Sequence, residues 1–368
     1  MPRQAWLDVF RGLAVVGMFL VNYPGSWTHV YWPLVHAGWH GATPADFVFP
    51  AFLFAVGVSI SYSALSLHRS FKHLPRTPYC RIFRRTLIIF ALGLALAGFP
   101  NYDLGTLRVT GVLQRVAICY LIAAVLFLNT GWRTQTAVAV ALLVGYHALM
   151  MHAAAPSCGA AWLSRECNFA GYVDRLVLGG RAAAGSHDPE GLLSTLPATT
   201  TTIFGMLTGQ LLQSNGAGLQ KTGFLVAAGV CGIVAGLVWH PWFPINKSLW
   251  TSSYVLLTAG VSCLLVALCY TANRVAWWAT PLRSLGVNAL AAYVMAELGS
   301  RILVADGWWH LPYRDGRQGA NLQTFLYEHL FSSWTDPYTA SLLYALAYSI
   351  ILVALMTSLL RLKRYIRL

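Results

Sequence analysis

Residues 36–58 read HAGWHGATPADFVFPAFLFAVGV. The first eleven of them, His36 to Asp46, hold two histidines, two glycines, a tryptophan, a proline and an aspartate. From Phe47 to Leu67 no side chain is charged, and about 20 apolar residues is the length a helix needs to cross the hydrocarbon core. Ionisable chemistry that runs straight into such a segment belongs at a membrane boundary. Thr43-Pro44-Ala45-Asp46 has the form of a helix start, with Thr43 as N-cap, Pro44 at N1 and Asp46 at N3 reaching back to the cap. Capping is the default task for Asp46, and it is compatible with orienting a nearby imidazole.

The rest of the chain repeats the apolar pattern. Of its 368 residues 57% are hydrophobic and 10% charged, against about 25% charged in a soluble protein. A barrel would alternate apolar and polar residues, and these blocks do not. The reading is an all-α, polytopic membrane helix bundle, one transmembrane domain over 1–368, set in a lipid bilayer. Ten spans are expected, near 6–21, 44–67, 82–99, 111–128, 134–152, 191–212, 223–239, 249–270, 282–303 and 338–360. No internal repeat of the inverted-transporter kind stands out.

Net charge is +13. In a membrane protein that excess is topological, because basic residues stay in the cytoplasm. Arg69, Lys72, Arg76, Arg81, Arg84 and Arg85 mark one inner loop, and Arg3, Arg133, Lys221, Arg274, Arg283 and the RLKRYIRL tail fall on the same side. Ten spans then leave both termini cytoplasmic. No nucleic-acid surface is expected, since no soluble domain carries a basic stripe. Seven cysteines are present. Cys158 and Cys167 share one polar outer loop and can pair in an oxidising compartment. With no CxxC and no tight Cys/His cluster, no metal is expected.

His36 and His40, beside Asp46, are base candidates, since imidazole titrates near neutral pH; their spacing is not specific for a metal. Asn22 either caps span 1 or holds a carbonyl. Arg115 lies inside span 4 and needs a partner or an anionic ligand; Asp103 or Glu297 are candidate partners. Asp188 and Pro189 read as N-cap and N1 of span 6, which leaves Glu190 without a structural task. Lys247, next to Asn246, is basic on the outer side, against the general bias. Asn288 is an amide inside span 9, where helix–helix bonding is the default. Asp8 and Arg11 read as a structural ion pair.

Six segments in order, LDVFRGLAVVGMFLVNYPGSW, HAGWHGATPADFVFPAFLFAVGVSI, GVLQR, DPEGLLSTLPA, FPINKSLWTSSYVLLTAG and GVNALAAYV, resemble the heparan-α-glucosaminide N-acetyltransferase family, whose bacterial members are called NagX-like. The resemblance covers nearly the whole chain. It implies a many-helix membrane enzyme, often a homodimer, with acetyl-CoA as cytosolic donor and a glucosamine-type amine as acceptor. It matches the family's active-site histidine to His36 and its partners to Asn22 and Asp46. Lysosomal members have asparagine where this chain has His40. On this reading His36 is base or acetyl carrier, Asp46 orients it and Asn22 stabilises the thioester oxygen. Arg115, Asn246, Lys247 and Asn288 line the donor path, and His40, Trp39 and Glu190 meet the acceptor. The location implied is the bacterial inner membrane. The competing readings are an amino-sugar transporter and a membrane scaffold.

Overall fold

Helices occupy all ten expected segments in the computed structural model, which describes residues 4–70, 77–156, 163–181, 187–272, 279–305 and 307–362. The helices are α1 (Ala5–Asn22), α2 (Val48–Ser70), α3 (Thr77–Gly98), α4 (Val112–Asn129), α5 (Trp132–His152), α6 (Phe169–Leu178), α7 (Thr195–Gln213), α8 (Gly218–Trp239), α9 (Ser252–Thr271), α10 (Thr280–Val287), α11 (Ala289–Val304), α12 (Leu322–Leu326) and α13 (Pro337–Arg361). Strand β1 (Leu311–Pro312) pairs antiparallel with β2 (Gln318–Ala320) in the last long loop. Arg3, Lys72, Arg76, Arg274, Lys363, Arg364, Arg367 and Cys158 lie outside the described residues, while Cys167 is disulfide-bonded.

By length and apolarity seven of these helices can cross a membrane, or eight if the pair α10 and α11 counts as one span. The two remaining expected spans are α3 and α7, and each departs for its own reason. Helix α3 opens on Arg81, Arg84 and Arg85, which shortens its apolar stretch. Helix α7 carries Thr195 and Thr199 to Thr202, all buried. A helix surrounded by protein need not be apolar, because its hydroxyls bond back to the helix or to neighbours. Thr199 does this, donating to the Thr195 carbonyl at 2.9 Å.

Helices α2 and α7 form the middle of the bundle, and glycines set their distance. A Cβ on Gly57 would stand 1.9 Å from the Thr202 carbonyl oxygen, and one on Gly205 2.0 Å from that of Phe54. Gly205 and Gly209 are four apart, the small-residue spacing that lets membrane helices touch backbone to backbone. Around this pair stand α4, α5 and α9, with α1 against α2 and α10. The core runs through Trp6, Phe10, Phe19, Leu53, Phe54, Trp250 and Tyr254, all nearly inaccessible. Helices α8 and α13 are mostly exposed and turn apolar faces such as Val230, Val234, Ile350 and Ile351 outward, as lipid-facing helices do.

Span 9 is not continuous, contrary to expectation. Helices α10 and α11 meet at 86° with Asn288 at the break. Helix α10 is pressed on α1 so closely that a Cβ on Gly286 would stand 1.7 Å from the Asp8 carbonyl oxygen. Asp8 itself holds Arg11 at 2.7 Å, the structural ion pair expected from their spacing.

The loops sort by charge. One end of the bundle gathers Arg81, Arg84, Arg85, Arg133, Lys221, Arg283 and Arg361 at helix starts and ends. At the other end stand the long loops between α1 and α2, α5 and α7, α8 and α9, and α11 and α13. Taken together these loops hold both acidic and basic groups, and the polar cluster lies there.

Candidate functional site

The loop that precedes α2 is shaped around one carboxylate. Thr43 starts a short helical turn, Pro44–Phe47, with the capping box complete. Asp46 Oδ2 accepts from the backbone N–H groups of Thr43 at 2.9 Å and Ala37 at 3.0 Å. Its other oxygen, Oδ1, faces His36 Nδ1 at 2.8 Å. Tyr254 of α9 donates its hydroxyl hydrogen to the Asp46 carbonyl at 2.5 Å, fixing the backbone from behind. Capping and orienting are therefore done by one side chain. Asp46 is fully buried, while 40% of the His36 side chain is open.

This geometry sets the tautomer. An ionised carboxylate can only accept, so Nδ1 carries the hydrogen that Asp46 takes, and Nε2 keeps its lone pair. Lys247 completes the group. Its Nζ stands 3.0 Å from both His36 ring nitrogens and 3.5 Å from Asp46 Oδ1. At equal distance from both nitrogens, the ammonium faces the ring rather than one lone pair. Burial pushes the Lys247 amine below its ordinary value, and Asp46 pulls the other way.

Lys247 is placed by the turn between α8 and α9. Asn246, fully buried, accepts from Leu249 N–H at 2.9 Å through its side chain, and its own N–H bonds Thr251 Oγ1 at 3.0 Å. Trp250 closes the turn with φ +51, a left-handed value that costs a bulky residue energy. Packing holds it there: its ring meets Phe49 and Tyr254 edge-on at 5.2 and 5.3 Å, and its N–H reaches Thr201 Oγ1 at 3.2 Å. The loop of His36 is tied to this turn by the Gly41 N–H bond to the Ile245 carbonyl, 2.8 Å. Asn246 Nδ2 also stands 3.4 Å from His40 Nδ1. Burial and His240 lower the basicity of His40.

A second cluster lies before α4 and α7. Arg108 grips Asp188 with two nitrogens, at 3.1 and 2.5 Å, and also bonds Glu190. Thr110 donates to Asp188 at 2.6 Å. Burial disfavours the Arg108 charge, but Asp188 and Glu190 outweigh it and hold the guanidinium firmly protonated. Arg115 is fully buried. Its Nη2 bonds Ser194 Oγ at 2.5 Å and the Gly191 carbonyl at 3.2 Å, and its guanidinium lies 4.9 Å from the Trp250 ring centre. Its Nε and Nη1 have no hydrogen-bond partner among the described residues. Lys247 feels both Glu190 and Arg115 electrostatically, so the two clusters share one field.

Comparison with known proteins supplies what geometry leaves open. The family description "Heparan-alpha-glucosaminide N-acetyltransferase, catalytic" matches residues 3–170, which include His36, Asp46 and Arg115. The chain is similar to heparan-α-glucosaminide N-acetyltransferase of Mus musculus, 29% identical over 357 residues, and to that of Homo sapiens, 28% identical over 363 residues. These alignments cover 80% and 81% of this chain. The chain therefore resembles the heparan-α-glucosaminide N-acetyltransferases, and residues 3–170 carry the match to their catalytic region. It spans about half the length of the curated relatives it matches, 53% in each case.

Of the residues that family resemblance and spacing singled out, the structure brings His36, Asp46, Lys247, Asn246 and His40 together. It sets Asn22 apart. That residue ends α1 and lines a separate small cavity with Tyr23, Trp27, Ser300 and Tyr348, and no described contact joins it to His36. Trp39 is turned to scaffolding: its N–H bonds the Leu163 carbonyl at 2.8 Å, and its ring meets His187 edge-on at 5.0 Å. Arg115 pairs with neither expected carboxylate. Asp103 caps its own loop through Gly105 and Thr106, and Glu297 is held by Tyr23 and Arg301. Asp188 is not the N-cap of α7, which begins four residues after Gly191; it is the anchor of Arg108. Sequence reasoning missed Arg108. The signal was available, since a loop arginine and the Asp188–Glu190 pair both stand beside the ends of adjacent spans.

Proposed function

We propose that the chain is a membrane acyltransferase that moves an acetyl group from acetyl-CoA to the amine of a glucosamine-type sugar. One observation carries this reading: an imidazole held by a buried carboxylate at 2.8 Å, with 40% of its side chain open and an ammonium 3.0 Å from each ring nitrogen. His36 Nε2 takes the proton of the attacking amine. Asp46 holds the tautomer and balances the imidazolium that forms. Lys247 meets the negative charge that grows on the thioester oxygen, the task first expected of Asn22. The imidazolium then returns its proton as the CoA sulfur leaves. An acetyl-imidazole route would use the same Nε2.

Arg115, with two donors to offer, Asn246 and Asn288 belong to the donor path in this reading. His40 belongs to the acceptor side in this reading, while Trp39 serves the scaffold and Glu190 the Arg108 cluster. The end rich in arginine is cytoplasmic, so acetyl-CoA arrives there and the dyad works at the outer face of a bacterial inner membrane. A homodimer belongs to this reading on family resemblance alone.

A second reading, amino-sugar transport, is favoured by the 86° break between α10 and α11, because broken helices line transport sites in membrane carriers. Proteoliposomes separate the two. Acetyl-CoA and glucosamine are supplied on opposite faces, and free CoA and internal sugar are measured. Glucosamine-dependent CoA release supports transfer. Accumulation of unmodified glucosamine without CoA release would replace it with transport.

A further inference from the structure

Beside His36 the molecule opens into a depression of about 620 Å³, within the usual range for small-molecule pockets. Its wall is aromatic. Tyr31, Trp32 and Tyr338 line it together with Val35, His36 and Gly38. Apart from His36, no residue that lines it is ionisable below the range of tyrosine. Lys247 and the cluster of Arg108, Asp188 and Glu190 are not part of its lining.

The aromatic wall is built rather than incidental. Trp32 sits on a tight turn, Trp32–Leu34, with Pro33 inside it, and 70% of its surface is open. Tyr31 donates or accepts a hydrogen bond with Thr339 Oγ1 at 2.9 Å, and its ring meets that of Tyr338 at 5.7 Å. His29 packs edge-on against Tyr338 at 5.4 Å. Asp336 starts α13 as a side-chain N-cap and so fixes Tyr338. The turn is tied to the dyad as well. The Thr43 hydroxyl donates to the Val35 carbonyl at 2.6 Å, and the same Thr43 caps on Asp46. Platform and imidazole therefore keep one geometry.

We propose that Tyr31, Trp32 and Tyr338 form the acceptor subsite, a stacking platform for a neutral pyranose ring. This rests on the transferase reading above and adds to it where the acceptor binds and by which face. A pyranose has an apolar face of C–H groups, which leaves water readily against an aromatic ring. Its hydroxyls need few fixed partners at an open rim. With the ring on Trp32, an amine substituent reaches toward His36. A wall without cations is unsuited to the phosphates of CoA, which would lose water with no charge to meet them. Donor and acceptor thus approach the imidazole from different sides.

The test is a set of Trp32 variants in purified protein, with glucosamine as the probe. Trp32 is so open that its removal leaves the packing intact. In Trp32→Ala the glucosamine KM rises about tenfold, the scale of one lost stacking contact, while the acetyl-CoA KM stays at the parent value. Trp32→Phe restores most of the loss. Saturation-transfer NMR gives a second readout that needs no turnover: glucosamine ring protons receive magnetisation from the protein, less in Trp32→Ala than in the parent and largely restored in Trp32→Phe. A Trp32-dependent NMR signal without any CoA release keeps the platform and moves the function to transport. An unchanged glucosamine KM and NMR signal in Trp32→Ala, or a rise in the acetyl-CoA KM instead, would overturn the subsite and leave these rings as part of an interfacial aromatic belt.

Discussion

Lys247 and His36 are 211 residues apart in the chain, and the Lys247 ammonium stands 3.0 Å from each nitrogen of the His36 ring. Two loops build that contact, the one before α2 and the one before α9, pinned to each other by Gly41 and Ile245. Lys247 thus brings a cation to the face of an imidazole. The arrangement is tolerable because Asp46, fully buried, is shared by both groups.

Asp46→Asn tests the sharing. An amide can donate to Nδ1 and so favours the wrong tautomer, while the shape of the loop is nearly kept. Turnover with acetyl-CoA and glucosamine should fall by about 10²–10⁴-fold, with little change in either KM. Steady-state kinetics of the purified variant check this; a fall confined to KM would show that Asp46 merely caps the helix.

Lys247 gives a pH prediction. Burial lowers its proton affinity. An amine is charged below its pKa, so the ammonium is present at low pH and lost as pH rises through the folded value. The alkaline limb of the rate profile should therefore begin below the ordinary lysine range. In Lys247→Arg, whose guanidinium stays charged up to about pH 12, that limb should move upward. Lys247→Met should lose about 10²–10³-fold in kcat at pH values below that limb, and the deficit should shrink above it. A profile identical in the parent and the arginine variant would remove Lys247 from the chemistry.

Arg108 and Asp188 give a stability prediction. Asp188 is buried and Arg108 largely so. Arg108→Gln strands the carboxylate and should cost on the order of 3 kcal/mol. Adding Asp188→Asn should recover part of it, since paired groups are not additive. Thermal unfolding in detergent reads both. Equal Tm values for Arg108→Gln and the parent protein would contradict the assignment.

Gly57→Ala should separate α2 from α7, because the added carbon would meet the Thr202 backbone at 1.9 Å. Backbone cannot move aside as a flexible side chain does, so overpacking of about 1–3 kcal/mol is expected. The same substitution at Gly145, where a Cβ meets nothing within 4 Å, should stabilise slightly or leave Tm unchanged. A similar effect at both positions would show that close approach is not what Gly57 is for.

Much of this was legible in residues 36–58, because a capping box is local and a membrane span is periodic. Asp46, His36 and the start of α2 are set by contacts within ten residues. Lys247 could be flagged only as a cation on the wrong side, since its partner lies 211 residues away. Arg115 showed its need for a partner but not which one; its bonds go to Ser194 and Gly191, in a turn where a helix was expected. Asn22 ends α1 as foreseen, yet its side chain faces another cavity, because the direction of a side chain at a helix end depends on what packs there. The break at Asn288 left no mark, since GVNALAAYV carries no proline and helix α1 pressing on α10 decides it.

The most direct test follows radiolabel from acetyl-CoA into glucosamine, with purified protein and its His36→Ala variant side by side. The account predicts N-acetylglucosamine from the parent and none above background from the variant, with unfolding temperatures the same. Label transferred equally by both proteins would contradict the central claim that the Asp46-held imidazole of His36 performs the transfer.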